Sequence, residues 1–89
     1  MPELFEWDEA KAKSNLAKHR VPFEYAIRVF LDEGHVLLDA SRKADGERRQ
    51  KIIGEIEGKI FTVVFTMRGD ICRIISARRA NMNETRAYR

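Results

Sequence analysis

Residues 59–79 read KIFTVVFTMRGDICRIISARR. Two apolar-rich runs flank Gly69-Asp70, a dipeptide suited to a tight hairpin because glycine accepts positive φ. Side chains alternate between the faces of a strand, so the turn fixes which residues lie opposite one another. With Gly69 and Asp70 as the loop, Arg68 lies opposite Ile71, Met67 opposite Cys72, Thr66 opposite Arg73 and Phe65 opposite Ile74. The same count puts Val64 opposite Ile75, Val63 opposite Ser76 and Thr62 opposite Ala77. Met67, Phe65, Cys72 and Ile74 then form an apolar face for helices to pack on. Arg73 and Thr66 face away from it. Arg78 falls with Ser76 on the packed face, an uncomfortable position for a guanidinium.

A second hairpin precedes the first. RRQKIIGEI (48–56) meets residues 59–67 across Glu57-Gly58. Here Ile60 lies opposite Glu55, Thr62 opposite Ile53, Val64 opposite Lys51 and Thr66 opposite Arg49. The face away from the helices thereby gathers Arg49, Lys51, Thr66, Arg68 and Arg73, with Arg79 further along, and little acid beyond Glu55. One face of an antiparallel sheet is ordinarily polar and solvated. The sharper reading is a cationic surface for a phosphodiester backbone, with Lys51, Arg68 and Arg79 as contacts to RNA.

The remainder reads as helices and one short strand. Asp8 suits an N-cap for a helix running to about His19, with small, sparse apolar positions that pack shallowly. Asp8, Lys11 and Asn15 share a stripe, read as a polar network to the sheet or to a partner. Pro22 suits the start of a second helix, on which Phe23, Ala26, Ile27 and Phe30 make an apolar stripe ended by Asp32-Glu33-Gly34. Residues 36–40 form a strand candidate and 41–47 a loop. Asn81 with Glu84 resembles a capping box for a last helix through Tyr88. The fold class is α+β: two N-terminal helices, an antiparallel sheet of about four strands and a short C-terminal helix.

At 89 residues the chain suits one domain, 1–89. Its single cysteine, Cys72, excludes an internal disulfide, and no Cys/His spacing suggests a zinc site, so no metal or cofactor is expected. No secretory h-region or membrane-length apolar run appears, and a cytoplasmic location is expected. Net charge is +3 but uneven: residues 1–67 hold 11 Lys and Arg against 12 Asp and Glu, whereas residues 68–89 hold six Arg against two acids. Guanidinium forks match phosphate geometry and keep their charge when partly buried.

FEWDEAKAKSNLAKHRVPFEYA, then ERRQKIIG, TVVFT, and RIISARRA followed by Glu84 and Tyr88, occur in that order. Together they resemble the BrnT-type toxins of bacterial type II toxin–antitoxin systems. The resemblance implies a small RelE-like ribonuclease fold and a toxin that inhibits translation by cutting RNA without a metal. It also implies a cognate BrnA-like antitoxin, through which alone operator DNA would be bound, and no membrane partner. Where the family has Gly after Lys-His, this chain has Arg20, so the end of the first helix is expected to be capped differently.

In metal-free cleavage the 2′-hydroxyl of the RNA is the nucleophile. The enzyme must take its proton, stabilise charge on the phosphorane and protonate the 5′-oxygen. Arg49 and Arg73 are the candidates for the charge, with Thr66 as a hydroxyl donor. Arg78 is added by the resemblance. His19, Glu84 and Tyr88 are the acid–base candidates. Each has a plainer alternative: His19 as a C-terminal helix cap, Glu84 as a capping carboxylate, Tyr88 as packing on the sheet. Trp7 reads as a hydrophobic anchor, and Cys72 as an inert core thiol. The alternatives to a ribonuclease are a non-catalytic RNA- or ribosome-binding module of the same fold and a partner-binding repressor subunit.

Overall fold

Alternating strands and turn-forming dipeptides give a sheet, and the apolar stripe of the second helix covers one side of it. A computed structural model describes residues 2–89. The chain runs β1 (Leu4–Glu6), α1 (Glu9–His19) and α2 (Phe23–Ala26), which tightens into a 3-10 turn over Ile27–Leu31. There follow β2 (Val36–Asp39), a 3-10 turn at Lys43–Asp45, β3 (Gln50–Ile56), β4 (Lys59–Arg68), β5 (Ile71–Arg79) and α3 (Met82–Tyr88). The sheet order is β1-β5-β4-β3-β2. No helix among the described residues is long and apolar enough to cross a membrane.

The expected four strands are joined by a fifth. β1 lies parallel to β5, pairing Leu4 with Ile71, Phe5 with Cys72 and Glu6 with Arg73. Three residues are too few for alternation to register as a pattern, which is why the sequence does not announce it. The other pairings are antiparallel. β3 and β4 turn through Glu57 and Gly58 at φ 52° and 82°, as a twist-matched two-residue hairpin requires. The Glu57 carboxylate accepts hydrogen bonds from Tyr25 at 2.8 Å and Arg28 at 3.2 Å, fastening the turn to the helical layer.

Phe23, Ala26, Val29 and Phe30 pack on Ile52, Phe61, Val63, Phe65, Cys72 and Ile74, all buried. The spacing 23, 26, 29 has a period of three, because the second helix becomes 3-10 after its first turn. Val29 thereby replaces Ile27 as the innermost residue. It sits against Gly54, where an added Cβ would come within 3.0 Å of the Val29 Cβ and carbonyl oxygen. Trp7 stacks edge-on against Phe23 at 5.8 Å between centroids, the anchor its sequence position suggested. Burial pushes the Cys72 thiol up to about 11, so little thiolate forms at neutral pH.

Asp8 caps α1 by accepting from the Ala10 and Lys11 amides at 2.8 and 3.2 Å. Arg20 ends the helix in the left-handed conformation (φ 62°, ψ 25°), its amide donating to the Leu16 carbonyl. The chain therefore makes the turn glycine would make, with a residue for which it is strained. The one buried side chain of α1 is polar. Asn15 donates to the Ala77 and Val21 carbonyls at 2.8 and 3.1 Å and accepts from the Ala77 amide at 3.1 Å. It completes the outer edge of β5 beyond the end of β1, and so hangs α1 on the sheet.

Candidate functional site

Near the Gly69 turn the strand register is the expected one. Arg68 pairs with Ile71, Met67 with Cys72, Thr66 with Arg73 and Phe65 with Ile74. The next pair is Val64 with Ser76, so Ile75 is an extra residue in β5. A bulge of this kind reverses which side chains face which side from that point onward. Val63 consequently pairs with Ala77, not Ser76, and Thr62 with Arg78, not Ala77. Ala77 is fully buried, and Arg78 joins Thr62 on the face that carries Arg73. Arg79 crosses to the helix-covered face, where its guanidinium lies 5.5 Å from the centroid of Phe61. The bulge exchanges the expected positions of these two arginines.

The second face is not bare. α3 lies on it, and its Glu84 is 2% exposed. Glu84 accepts from both terminal nitrogens of Arg78 at 2.6 and 2.8 Å, from Lys51 at 2.9 Å and from Thr62 at 2.9 Å. It also accepts from the Asn81 amide at 2.9 Å, while Asn81 accepts from the Glu84 amide: the capping box is formed. Burial is the largest influence on the Glu84 carboxyl and pushes its pKa up. The hydrogen bonds from Arg78, Asn81, Lys51 and Thr62 together outweigh it and hold the group well below the usual carboxylate range. A carboxylate so saturated is a fixed anion, not a base with a free lone pair. Arg78 gains the complementary benefit: its pKa is raised, first by Glu84.

Acidic groups compensate the basic face far more than the sequence suggested. Besides Glu84, the face receives Glu6 from β1 against Arg73, and Asp45 and Glu47 from the 41–47 loop. Six cations (Arg42, Arg49, Lys51, Arg68, Arg73, Arg78) meet four carboxylates there. The acids were invisible to the hairpin count because none belongs to either hairpin. Arg73 is bound by Glu6. Thr66 donates at 2.7 Å to the Arg48 carbonyl, holding the backbone beside Arg49.

Three of these arginines line one cleft. Ala40, Arg42, Arg49, Val64, Ile75, Ser76 and Arg78 enclose about 370 Å³ above the sheet. Arg49 is loosely held: Asp45 and Glu47 stand 3.4 Å away, beyond the 2.7–2.9 Å of a tight charge-assisted bond. Its Nε is buried with no partner among the described residues. Arg78 is the opposite case, clamped bidentately by Glu84.

The other sequence candidates are placed elsewhere. His19 lines an adjoining cleft of about 270 Å³ with Lys11, Ser14, Asn15, Lys18, Ile75 and Ser76. Ile75 and Ser76 belong to both clefts. Tyr88 donates at 2.5 Å to Asp32, which also accepts the Glu55 and Gly34 amides at 2.8 and 2.9 Å. This bond pushes the Tyr88 phenol up to about 12 and Asp32 down. Tyr88 thus locks the end of α3 to the start of β2's approach. Arg68 is exposed near the Gly69 turn, 3.8 Å from Glu47. Arg42 was the residue sequence reasoning passed over. It lies in a segment read only as loop, and no periodicity assigns a face to a loop.

No curated protein sequence matches the chain. The family model for the ribonuclease toxin BrnT of type II toxin–antitoxin systems matches residues 7–84. That span takes in α1, the helical layer, both hairpins, the bulge and the capping carboxylate. The chain belongs to the BrnT family of ribonuclease toxins, the toxin half of a type II toxin–antitoxin pair.

Proposed function

We propose that the chain cleaves RNA at the Arg49–Arg78 cleft without a metal ion, using the 2′-hydroxyl as nucleophile. The observation that carries this is the convergence of Arg49, Arg78 and the Ser76 position on one cleft in a chain of this family. The 2′-oxygen forms a bond to phosphorus, the bond from phosphorus to the 5′-oxygen breaks, and the 2′-proton and the 5′-oxygen are served by an acid–base pair. Guanidinium groups fixed beside the phosphorane stabilise its charge, roughly 3–4 kcal/mol for a well-placed donor.

The residues divide by how they are held. Arg49, loosely paired and with a donor unsatisfied, meets the phosphate directly. Arg78, immobilised by Glu84, supplies preorganised charge. Thr66 positions the backbone of Arg49, and Arg73 with Glu6 forms the rim, beside Arg68. His19, in the adjoining cleft that shares Ile75 and Ser76 with this one, is the remaining acid–base candidate, since Glu84 and Tyr88 are both engaged. Arg79, on the other face, lies away from the RNA path. The family membership further supports translation as the process inhibited, a BrnA-like antitoxin as the neutralising partner, operator DNA contacted only through that antitoxin, and a cytoplasmic setting.

The test incubates purified protein with RNA in excess chelator and identifies the new ends. Cleavage should persist and leave a 2′,3′-cyclic phosphate and a 5′-hydroxyl. Arg49→Ala should lose about 10²–10³ in rate with an unchanged circular dichroism spectrum. RNA binding without cleavage would instead make the protein a non-catalytic RNA-binding module.

A further inference from the structure

The His19 cleft has a different character from its neighbour. Its lining contains Lys11 and Lys18 but no carboxylate. Among the described residues neither lysine forms an ion pair, whereas every cation lining the Arg49 cleft has an acidic partner. Lys11 and Lys18 are seven residues apart on α1, two turns, or about 10 Å along the axis. That spacing tracks a length of backbone better than it clamps a single phosphate. Ser14 offers a hydroxyl between them, and Ile75 and Ser76 form a floor shared with the Arg49 cleft. The bulge therefore does two things: it turns Arg78 into one cleft and makes the ridge that leads to the next. The two walls also sense each other, since Lys11 contributes to holding the Asp45 carboxyl low.

We propose that the Lys11–Lys18 face of α1 is a second RNA subsite, which holds the phosphodiester backbone flanking the bond cut in the Arg49 cleft. A strand lying in the Arg49 cleft crosses Ser76 and continues along α1. The two lysines add affinity for longer RNA and take no part in bond breaking. The proposal rests on the ribonuclease function of the first cleft.

The experiment compares wild type with the double variant Lys11→Ala/Lys18→Ala on a dinucleotide and on a ten-nucleotide RNA, over a range of salt. A slope of about 0.7 per phosphate makes two lost contacts worth about 25-fold in affinity at 0.1 M salt. KM for the longer RNA should rise by about that factor, and the log–log salt slope should fall by about 1.4. The kcat values and cleavage of the dinucleotide should not change, and Lys11→Arg/Lys18→Arg should restore binding. An unchanged KM and salt slope overturns the proposal. So does an equal loss on the dinucleotide, which would put the lysines in the chemistry or the fold. Loss of antitoxin binding with RNA affinity intact would also overturn it, making this face a protein interface. Should wild type cut neither substrate, the ribonuclease function fails separately, and the salt dependence of RNA binding by the two proteins still decides the subsite.

Discussion

Replacing Glu84 with glutamine keeps the shape of the side chain and removes its charge. Five donors converge on this carboxylate, two of them from Arg78. Glutamine offers one oxygen to that set and turns an NH₂ group toward cations. Leaving a buried partner uncompensated costs about 3–5 kcal/mol. Here the surviving Arg78 and Lys51 are 30% and 26% exposed and can reach water, so the expected loss is smaller, about 2–3 kcal/mol. In a domain of this size that lowers Tm by about 10–20 °C. The pH dependence identifies the cause. The folded-state pKa of Glu84 lies far below its ordinary 4.5. The stabilisation is therefore complete above that ordinary value and is lost as pH falls below it, by about 1.4 kcal/mol per pH unit. Glutamine has no such proton, so the gap between the two proteins should be constant near neutrality and narrow in acid. Urea denaturation of both proteins from pH 7 down to pH 3 measures it. A gap that stays the same across that range, or one under about 0.5 kcal/mol at neutrality, would refute the assignment of Glu84 as a charged hub.

Two further substitutions probe the frame that carries the site. Arg20→Gly should raise stability by about 0.5–1 kcal/mol, because the left-handed helix end at φ 62° strains any side chain and glycine relieves it; a decrease in the denaturation midpoint would show that the Arg20 side chain stabilises more than its backbone strains. Gly54→Ala should lower stability by about 1–3 kcal/mol, since the new methyl would meet Val29 backbone and side chain at 3.0 Å; an unchanged Tm would mean that the 3-10 turn can withdraw.

Most of the scaffold could be read from the chain because its signals were local. Asp8, Pro22 and Asn81 marked helix starts, and two Gly-containing dipeptides fixed both hairpins through the first four pairs of the β4–β5 ladder. The places where reading failed share one cause: the deciding partner is distant in sequence. β1 exists only because β5 offers an edge. The compensating acids come from β1, the 41–47 loop and α3, and hairpin counting sees none of them. The bulge is the instructive case. Nothing in IISARR shows that Ile75 is the surplus residue, yet the discomfort of an arginine counted into the core was a valid signal of a misplaced register. Ala77 and Arg78 each find a suitable environment only if one residue is skipped. Glu84 could be named as a cap from its spacing to Asn81. Its contacts with Lys51 and Thr62 could not.

The pairing of β1 with β5 joins residue 4 to residue 71 and places Glu6 on Arg73. During synthesis the first strand must wait for nearly the last, because the edge it needs does not yet exist. Asn15 waits too, for Ala77, and Arg78 waits for Glu84. Local helices can form early, but the basic face is assembled only when the C-terminal third has been made. For a ribonuclease toxin this sets an order of events: no nascent chain that stops short of residue 84 can hold Arg78 in place, so the cleft is among the last parts of the fold to be completed.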